Sequence, residues 1–222
     1  MKRLYNIKKC LVSGFTMLEM TMAIVVIGIL ASMALPRLDR DRTQEASQNI
    51  LNAIRYTQHL ALMDNKMDPT DSEWQKKLWK ISFGHYSDTF GDKWYYTISA
   101  DIDKDGSVDK NECAIDPANG KYFYHVNTEG NDIDSDESPQ VMLGKNYGVS
   151  NIEFSGGCSN VQHIAFDNIG RPFVGIGGAT NDYSKYMTDD CTISVTISGA
   201  EDFNITISKE TGYASIVGQP NS

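Results

Sequence analysis

The chain has 222 residues, of which 29 are Asp or Glu and 20 are Lys or Arg, so its formal net charge is -9. This acidic balance argues against a nucleic-acid-binding surface, because nucleic-acid phosphates attract basic residues. The residues that follow the N-terminal apolar stretch are numerous enough to bury the core of one globular domain.

The chain begins with a basic leader and an apolar stretch. The leader, 1–14, carries Lys and Arg but no acid and ends at Gly14, and the stretch 15–36 carries one charge, Glu19. An apolar helix of roughly 20 residues spans the hydrocarbon core of a membrane, so we predict a transmembrane segment at 15–36. A carboxylate inside a bilayer costs on the order of 3 kcal/mol, so Glu19 is expected to have a partner there.

Gly14, Phe15, Glu19 and the apolar run up to Pro36 resemble the N-terminus of type IV pilins and type II secretion pseudopilins, the family with class III signal peptides. The resemblance implies that a prepilin peptidase cuts between Gly14 and Phe15 and that the new amine of Phe15 is methylated. It also implies that Glu19 pairs with the N-terminal amine of a neighbouring subunit during assembly. The alternative is an ordinary membrane anchor with a chance Glu.

The family resemblance also implies an architecture and a location. The architecture is pilin-like, with one long helix whose first half spans the membrane and whose second half packs on a sheet. The location is the inner membrane, crossed once, with the C-terminal domain in the periplasm and able to enter a pseudopilus or pilus. The implied partners are other pilin or pseudopilin subunits, the prepilin peptidase and an inner-membrane assembly platform.

Residues 37–66 are expected to form the periplasmic half of the long helix. From Ala46 onward apolar residues recur about every 3.6 positions, which indicates one face of an amphipathic helix. This face consists of Ala46, Ile50, Ala53, Ile54, Leu60 and Ala61, and the opposite face holds Gln48, Asn52, Arg55 and Gln58. A single apolar face must pack on something, most simply a sheet. We expect the helix to end near Asn65, a residue that tolerates the left-handed cap conformation.

Residues 67–222 are expected to form a β-rich globular domain. Alternation of aromatic and β-branched residues with polar ones is typical of strands. It recurs in the runs 79–83, 94–98, 121–126, 149–154, 161–166, 191–197, 203–208 and 213–217, and 141–143 is a further strand candidate. The residues 85–92 would connect the first two strands as a hairpin, and the last runs would form an antiparallel meander. Together with the helix, this predicts an α+β fold with an antiparallel sheet.

Residues 101–112 match the calcium-loop pattern D-x-D-x-D-G-x5-E at every required position. The oxygens would come from Asp101, Asp103, Asp105, Ser107, Asp109 and Glu112. Calcium takes about six to eight hard oxygens; the seventh residue of such a loop contributes its carbonyl, the ninth acts through water and the twelfth closes the site with two oxygens. Calcium is therefore the expected cofactor, acting as a structural clip. The alternative is a solvated acidic loop.

A second acidic segment, 127–139, contains Asp132, Asp134 and Asp136 at alternate positions. It lacks the glycine and the final acid at the spacing of a calcium loop. We therefore favour a solvated loop over a second metal site.

Four cysteines are present, and Cys10 would leave with the leader. Cys113, Cys158 and Cys191 remain, which in an oxidising compartment allows one disulfide and one thiol. We favour the pair Cys158–Cys191, because both residues flank the same strand-rich region. The other pairings stay open.

The C-terminal third carries a second, shorter resemblance. The segment 166–172, with Gly170 and Pro172, and the segment 205–212, ending at Gly212, are similar to the ending of the GspH/FimT group of minor pseudopilins. The long loops at 100–140 and the cysteines depart from a compact member of that group. Basic residues near the C-terminus, expected of a DNA-binding member, are absent from 212–222.

Three functions follow from these features. The first is a minor pseudopilin of a type II secretion-like system, a structural subunit of a pseudopilus that drives protein export. The second is a minor pilin of a type IV or competence pilus, with a role in adhesion, motility or DNA uptake. The third is a calcium-binding enzyme or binding module on an anchor. No catalytic motif emerges from the sequence, so we do not expect an enzyme.

Overall fold

The computed structural model describes residues 16–88, 91–126, 128, 132–178 and 180–219, without the side chains of 32–41, 88 and 91. The predicted leader 1–14, and with it the cleavage position between Gly14 and Phe15, lies outside the described residues. So does most of the segment 127–131.

The first described element is a long helix, α1 (Met17–Met63). Its first turn is stabilised by a capping box: the Glu19 N–H donates to Thr16 Oγ1 at 3.2 Å, and the Thr16 N–H donates to Glu19 Oε2 at 2.8 Å. This reciprocal pair satisfies two backbone donors that a helix start leaves without partners. A boundary between two compact units falls within α1, because the first unit ends at Leu38 and the second runs from Asp39 to Ser222.

The predicted membrane span is not supported. In the part of the chain that the structure describes, no helix is both long enough and apolar enough to cross a membrane. The expectations of a membrane-spanning first half and of a single-pass location in the inner membrane are therefore wrong.

The unit from Asp39 onward contains two antiparallel sheets where the sequence predicted one. The strands are β1 (Lys80–Asp88), β2 (Gly91–Ser99), β3 (Val149–Gly156), β4 (His163–Phe166), β5 (Pro172–Phe173), β6 (Cys191–Ile197), β7 (Phe203–Ile207) and β8 (Ala214–Ile216). The first sheet has the order β2-β1-β4-β5 and the second has the order β3-β6-β7-β8. Alternation predicts where strands lie but not which strands pair, and β4 joins β1 across more than 70 intervening residues.

One apolar core connects α1 with both sheets. The buried face of α1 includes Ile50, Leu51 and Ile54, each with 0% exposure. It packs in one cluster with residues of the first sheet such as Tyr96 and of the second such as Ile205. Fully burying a side chain of this size stabilises a fold by about 1.5 to 3 kcal/mol, so this face of α1 contributes much of what holds the two sheets together.

The polar face of α1 also contacts both sheets. Gln58 Nε2 donates to Gly170 O at 2.9 Å, in the turn after β4, and to Thr211 O at 2.8 Å, in the turn before β8. The two turns approach so closely that a Cβ on Gly212, whose φ is +64°, would lie 2.4 Å from Gly170 O. Only glycine fits there. The two segments that resemble the GspH/FimT ending therefore meet at Gln58.

Three local predictions differ from the structure. The hairpin between β1 and β2 is tight, with Asp88 opposite Gly91, so the predicted connection 85–92 belongs mostly to the strands. Residues 121–126 are not a strand, although Tyr122 forms isolated bridges to Ile115 and Glu137. Residues 141–143 lie between a 3-10 turn and a short helix, α2 (Leu143–Tyr147). In the segment 121–126, the single bridges of Tyr122 replace the continuous pairing that the alternation predicted.

Cys158 and Cys191 form a disulfide, the pairing favoured from the sequence, and Cys113 is a free, buried cysteine. Cys191 is the first residue of β6 and pairs with Gly156, the last residue of β3. The disulfide therefore connects the start of β6 to the turn after β3, where Cys158 lies. It closes a loop across a sequence separation of 33 residues.

The double variant Cys158→Ala/Cys191→Ala should lower the free energy of unfolding by about 3 to 4 kcal/mol, because the unfolded chain regains the entropy of a loop of this length. Equilibrium unfolding in urea measures the change. Cys113→Ala is the control, with an expected loss of about 1 kcal/mol from one removed sulfur. Equal losses in the two variants would contradict a stabilising role for the bond.

Candidate metal centre at residues 101–112

The predicted calcium loop lies directly after β2. Its two ends are held together by the sheet backbone, since Ala100 N–H donates to Glu112 O at 3.1 Å and Ala114 N–H donates to Ile98 O at 2.8 Å. A strand leads into the loop, as predicted, and a 3-10 turn, Lys110–Glu112, leads out of it. The loop is therefore an insertion anchored at one sheet edge, without a helix pair around it.

Three of the predicted ligands converge. Carboxylate oxygens of Asp101, Asp103 and Asp105 all lie within 4.8 Å of one another. The backbone turns sharply beneath them, with φ of +87° at Gly106, and Gly106 N–H donates to Asp101 Oδ2 at 3.1 Å. Like charges at this separation repel one another, so a cation between them would be strongly favoured.

Asp101 provides the test of whether a cation fits. Its side chain is only 2% exposed, and its Oδ1 atom is buried with no hydrogen-bond partner in the described residues. A buried carboxylate oxygen without a partner carries a large desolvation penalty. Coordination of a hard divalent cation would remove this penalty, so the residues present fit a calcium ion.

Glu112 closes the loop in a different way from the three aspartates. It is 8% exposed, and its Oε1 accepts the N–H groups of Ile102 at 2.6 Å and Asp103 at 3.1 Å. The last predicted ligand is thus held at the entrance of the loop, beside the first two. Glu112 is not among the acids whose oxygens converge within 4.8 Å.

The remaining two predicted ligands do not join this group of acids. Ser107 donates from its N–H and its hydroxyl to Asp105 Oδ1, at 2.7 and 2.5 Å, which fixes the second half of the turn. Asp109 is exposed and precedes the 3-10 turn, where its carbonyl accepts from the Cys113 thiol at 3.5 Å. Their predicted contributions were a backbone carbonyl and a bridging water, so neither needs a converging side chain.

Two lysines within the loop attach it to neighbouring segments. Lys104 Nζ lies 3.1 Å from Asp71 Oδ1, and Lys77 Nζ lies 2.6 Å from the other oxygen of the same carboxylate. The hydrogen bond from Lys77, together with those from the Glu73 N–H and from Lys104, holds the pKa of Asp71 well below its usual range. These ion pairs connect the loop to the segment that precedes β1.

Lys110, the second lysine of the loop, contacts the acidic cluster formed by Asp134, Asp136 and Glu137. Lys110 Nζ lies 2.8 Å from Asp134 Oδ2, 3.2 Å from Asp136 Oδ1 and 2.6 Å from Glu137 Oε1. Glu137 is fully buried. Burial disfavours the charged ammonium, but the three carboxylates outweigh this effect and raise the pKa of Lys110. Lys110 therefore lies among three acids that could also hold a metal ion, and the burial of Glu137 differs from the solvated loop that the sequence favoured.

Sequence reasoning missed Lys104, Lys110 and Asp71 because the calcium-loop pattern leaves its intervening positions unspecified. The available signal was that both lysines stand between acids of the loop, where their side chains must point away from the ion.

Cys113, the residue after the loop, is not a reactive thiol. Burial, and then the charge of Glu112, raises its pKa to about 12, so it stays protonated at neutral pH.

Replacing Lys110 by Met should lower the free energy of unfolding by about 2 kcal/mol, because Glu137 then stays buried without a cation. Urea unfolding at pH 7 measures this change, and Lys121→Met is the matched control. Lys121 has no ion pair in the described chain. The double variant Lys110→Met/Glu137→Leu should recover part of the loss. A Lys110 variant as stable as the control would show that the cluster is only a solvated surface.

Comparison of the chain with protein-family models, with curated proteins and with solved structures finds no match in any of the three.

Proposed function

We propose that the chain is a minor pseudopilin, a structural subunit that assembles with others of its kind into a pseudopilus that drives protein export. The observation that carries this proposal is the exposed apolar surface of α1 between residues 17 and 30. Met17 is 89% exposed, Leu18 74% and Ile27 64%. Large apolar side chains clustered on one exposed helix usually mark a surface that another molecule covers.

A helical partner suits this surface best. Apolar residues surround the helix here and include Ile24 and Leu30, each more than half exposed, as well as Gly28, around which a side chain would meet nothing. A helix that is apolar on all sides is normally enclosed by neighbours. Parallel helices from several subunits would enclose it from every side, which is the arrangement that the N-terminal resemblance implies.

Glu19 is the one charge on this surface, and two roles are compatible with its position. Its carboxylate accepts hydrogen bonds from the N–H and hydroxyl of Thr16, at 2.8 and 2.9 Å, so it caps its own helix. The carboxylate nevertheless stays exposed and charged. In the proposed assembly it pairs with the N-terminal amine of the next subunit after prepilin peptidase has cut before Phe15.

We also propose that calcium occupies the loop 101–112. The unpartnered, buried oxygen of Asp101 supports this cofactor, together with the converging carboxylates of Asp103 and Asp105. An ion there would hold a long insertion in one conformation on the surface of the subunit. Sites of this kind outside cells bind calcium with dissociation constants of about 0.1 to 1 mM.

The same N-terminal motif serves type IV and competence pili, which are the alternative assembly. A fibre for DNA uptake would be expected to present basic residues, whereas this chain carries a net charge of -9. The acidic composition therefore disfavours direct DNA binding.

The charge of Glu19 and its capping role can be separated by mutation. Glu19→Gln keeps an acceptor for Thr16 but loses the charge, and it should assemble poorly although it is processed. Thr16→Val removes the capping hydroxyl, costs about 1 kcal/mol of helix stability and should assemble normally. Cross-linking of subunits in cells measures assembly. Normal assembly of Glu19→Gln would contradict the pairing role.

The same variants, expressed in a strain that lacks the gene, distinguish the two machines. We expect the strain to lose specific proteins from the medium and to keep normal uptake of labelled DNA. The wild-type gene should restore secretion, and the gene for Glu19→Gln should not. Loss of DNA uptake or of surface fibres with normal secretion would assign the chain to a pilus instead.

Calcium at about 2 mM should stabilise the chain by about 0.6 to 1.8 kcal/mol relative to chelator, because ligand binding to the folded state alone adds RT ln(1 + [L]/Kd). Thermal unfolding with calcium and with chelator measures the difference. Glu112→Gln keeps the acceptors for Ile102 and Asp103 but should lose most of the calcium effect. Asp132→Asn, an exposed acid outside the loop, is the control. Equal melting temperatures for the wild type in both buffers would exclude the site.

A further inference from the structure

A small pocket of about 280 Å³ lies between α1 and the segment that follows the calcium loop. Asn49, Asn52 and Tyr56 of α1 line one side, and Tyr96 of β2 together with Asp116 and Phe123 lines the other. All six belong to the unit from Asp39 onward. This volume accommodates a group of a few heavy atoms, such as the end of an aliphatic chain.

Asp116 is the charged group of the pocket and is firmly fixed. It is 2% exposed. Its Oδ1 accepts the Ala118 N–H at 2.9 Å, and its Oδ2 accepts from Asn119 Nδ2 at 2.8 Å and from Ser138 Oγ at 2.6 Å. Every donor is neutral. A carboxylate has about four acceptor positions, so these three hydrogen bonds hold the group in place and leave its charge uncompensated.

The other buried carboxylates all have a cation or a site for one. Asp167 pairs with Arg171 at 2.7 Å, and Glu137 pairs with Lys110 at 2.6 Å. Asp101 and Glu112 belong to the proposed calcium loop. Asp116, like Asp101 and Glu112, has no ion pair among the described residues, but it lies outside the calcium loop. A buried charge without a partner is costly, and here it borders a pocket.

The walls of the pocket favour a cation as well. The Phe123 ring lies 5.7 Å from the Tyr56 ring and 6.0 Å from the Tyr96 ring, centre to centre, so three aromatic rings gather around the space. The faces of aromatic rings attract ammonium groups. Asn49 Oδ1, which also borders the pocket, is buried without a hydrogen-bond partner and could accept from an N–H donor.

Titration of the tyrosines agrees with an electronegative pocket. Burial and then the charge of Asp116 raise the pKa of Tyr56. For Tyr96 the causes are burial, the nearby Tyr147 and again Asp116. Both phenols therefore stay neutral at physiological pH, so they add no negative charge, and their rings can contact a ligand.

We propose that this pocket binds an alkylammonium group, held by the Asp116 charge and the rings of Tyr56, Tyr96 and Phe123. The group can come from a free aliphatic amine or from a lysine side chain of another polypeptide. This inference does not depend on the assembly role or on calcium. The competing explanation, that Asp116 only organises the turn 116–121, accounts for its hydrogen bonds but not for a pocket of aromatic rings beside an uncompensated charge.

The experiment uses the full chain at pH 7 with butylamine as the probe and 1-butanol as the uncharged probe of similar shape. Binding is measured by ligand-observed NMR titration. Butylamine should bind with a dissociation constant on the order of 1 mM, and butanol should bind about tenfold more weakly or less. Equal binding of both probes, or binding of neither, would overturn the proposal.

A positive charge introduced at the rim of the pocket tests whether butylamine binds there. Asn52 is exposed and lines the pocket, so Asn52→Lys offers an internal ammonium and should weaken butylamine binding about tenfold. His59→Lys adds a lysine at an exposed position of the same helix outside the pocket and should bind like the wild type. Circular dichroism checks that both variants fold. Unchanged binding in Asn52→Lys would overturn the assignment to this pocket.

A third probe distinguishes the two sources of the ammonium group. Nα-acetyl-lysine N-methylamide presents the lysine side chain of a polypeptide. If it binds as tightly as butylamine, a lysine of another polypeptide is supported. If butylamine binds and the lysine derivative does not, the pocket takes a free amine.

Discussion

Burial of one face of α1 is the constraint on which the domain depends. Each sheet has one apolar face, and residues such as Ile54 of the helix lie in the same core cluster as Ile81 of the first sheet and Val195 of the second. Without the helix, both sheets would expose these faces to water. Polar groups of the same helix then fix its position: Gln58 donates to two turn carbonyls at 2.8 to 2.9 Å, and Arg55 donates to the Ala214 carbonyl of β8 at 2.9 Å. Apolar burial supplies the free energy, and these hydrogen bonds specify the angle and register.

The segment between β2 and β3 depends on ion pairs as well as on contacts with the core. The described residues between β2 and β3 form short helical segments and isolated bridges rather than strands. Part of this segment packs into the core through residues such as Phe123 and Leu143. Ion pairs fix the calcium loop itself, since Lys104 ties it to Asp71 and Lys110 ties it to Glu137. A calcium ion in the loop would add a third positive charge, beside those of Lys104 and Lys110, to the interactions that hold this segment.

How much the sequence predicts depends on the range of the interaction. The strand β6 (Cys191–Ile197) was predicted to the residue, because its alternation matches an unbroken row of buried and half-buried positions. The convergence of Asp101, Asp103 and Asp105 was predicted as well, since it follows from a local turn around Gly106. Pairing of consecutive strands was predicted, as for β1 with β2 and for β6 with β7. The pairing of β1 with β4 was not, because no local pattern specifies it. The single sheet expected from the sequence is therefore two, and the predicted membrane span is not supported by the described residues.

The acidic composition finds its explanation in how the domain uses its carboxylates. Scattered surface acids would suffice for solubility, yet several here are buried and each stabilises a separate piece of irregular backbone. Glu112 holds the entrance of the calcium loop through Ile102 N–H, Asp167 holds the turn after β4 through Arg171, and Asp116 holds the turn 116–121 through Ala118 N–H. A carboxylate accepts several hydrogen bonds at once, so one acid can organise a turn that has no apolar core of its own. The cost is a buried charge, which must be neutralised by a neighbouring lysine or arginine, by a metal ion or by a bound cation. Both ligand sites that we propose lie beside buried acids that have no ion pair among the described residues.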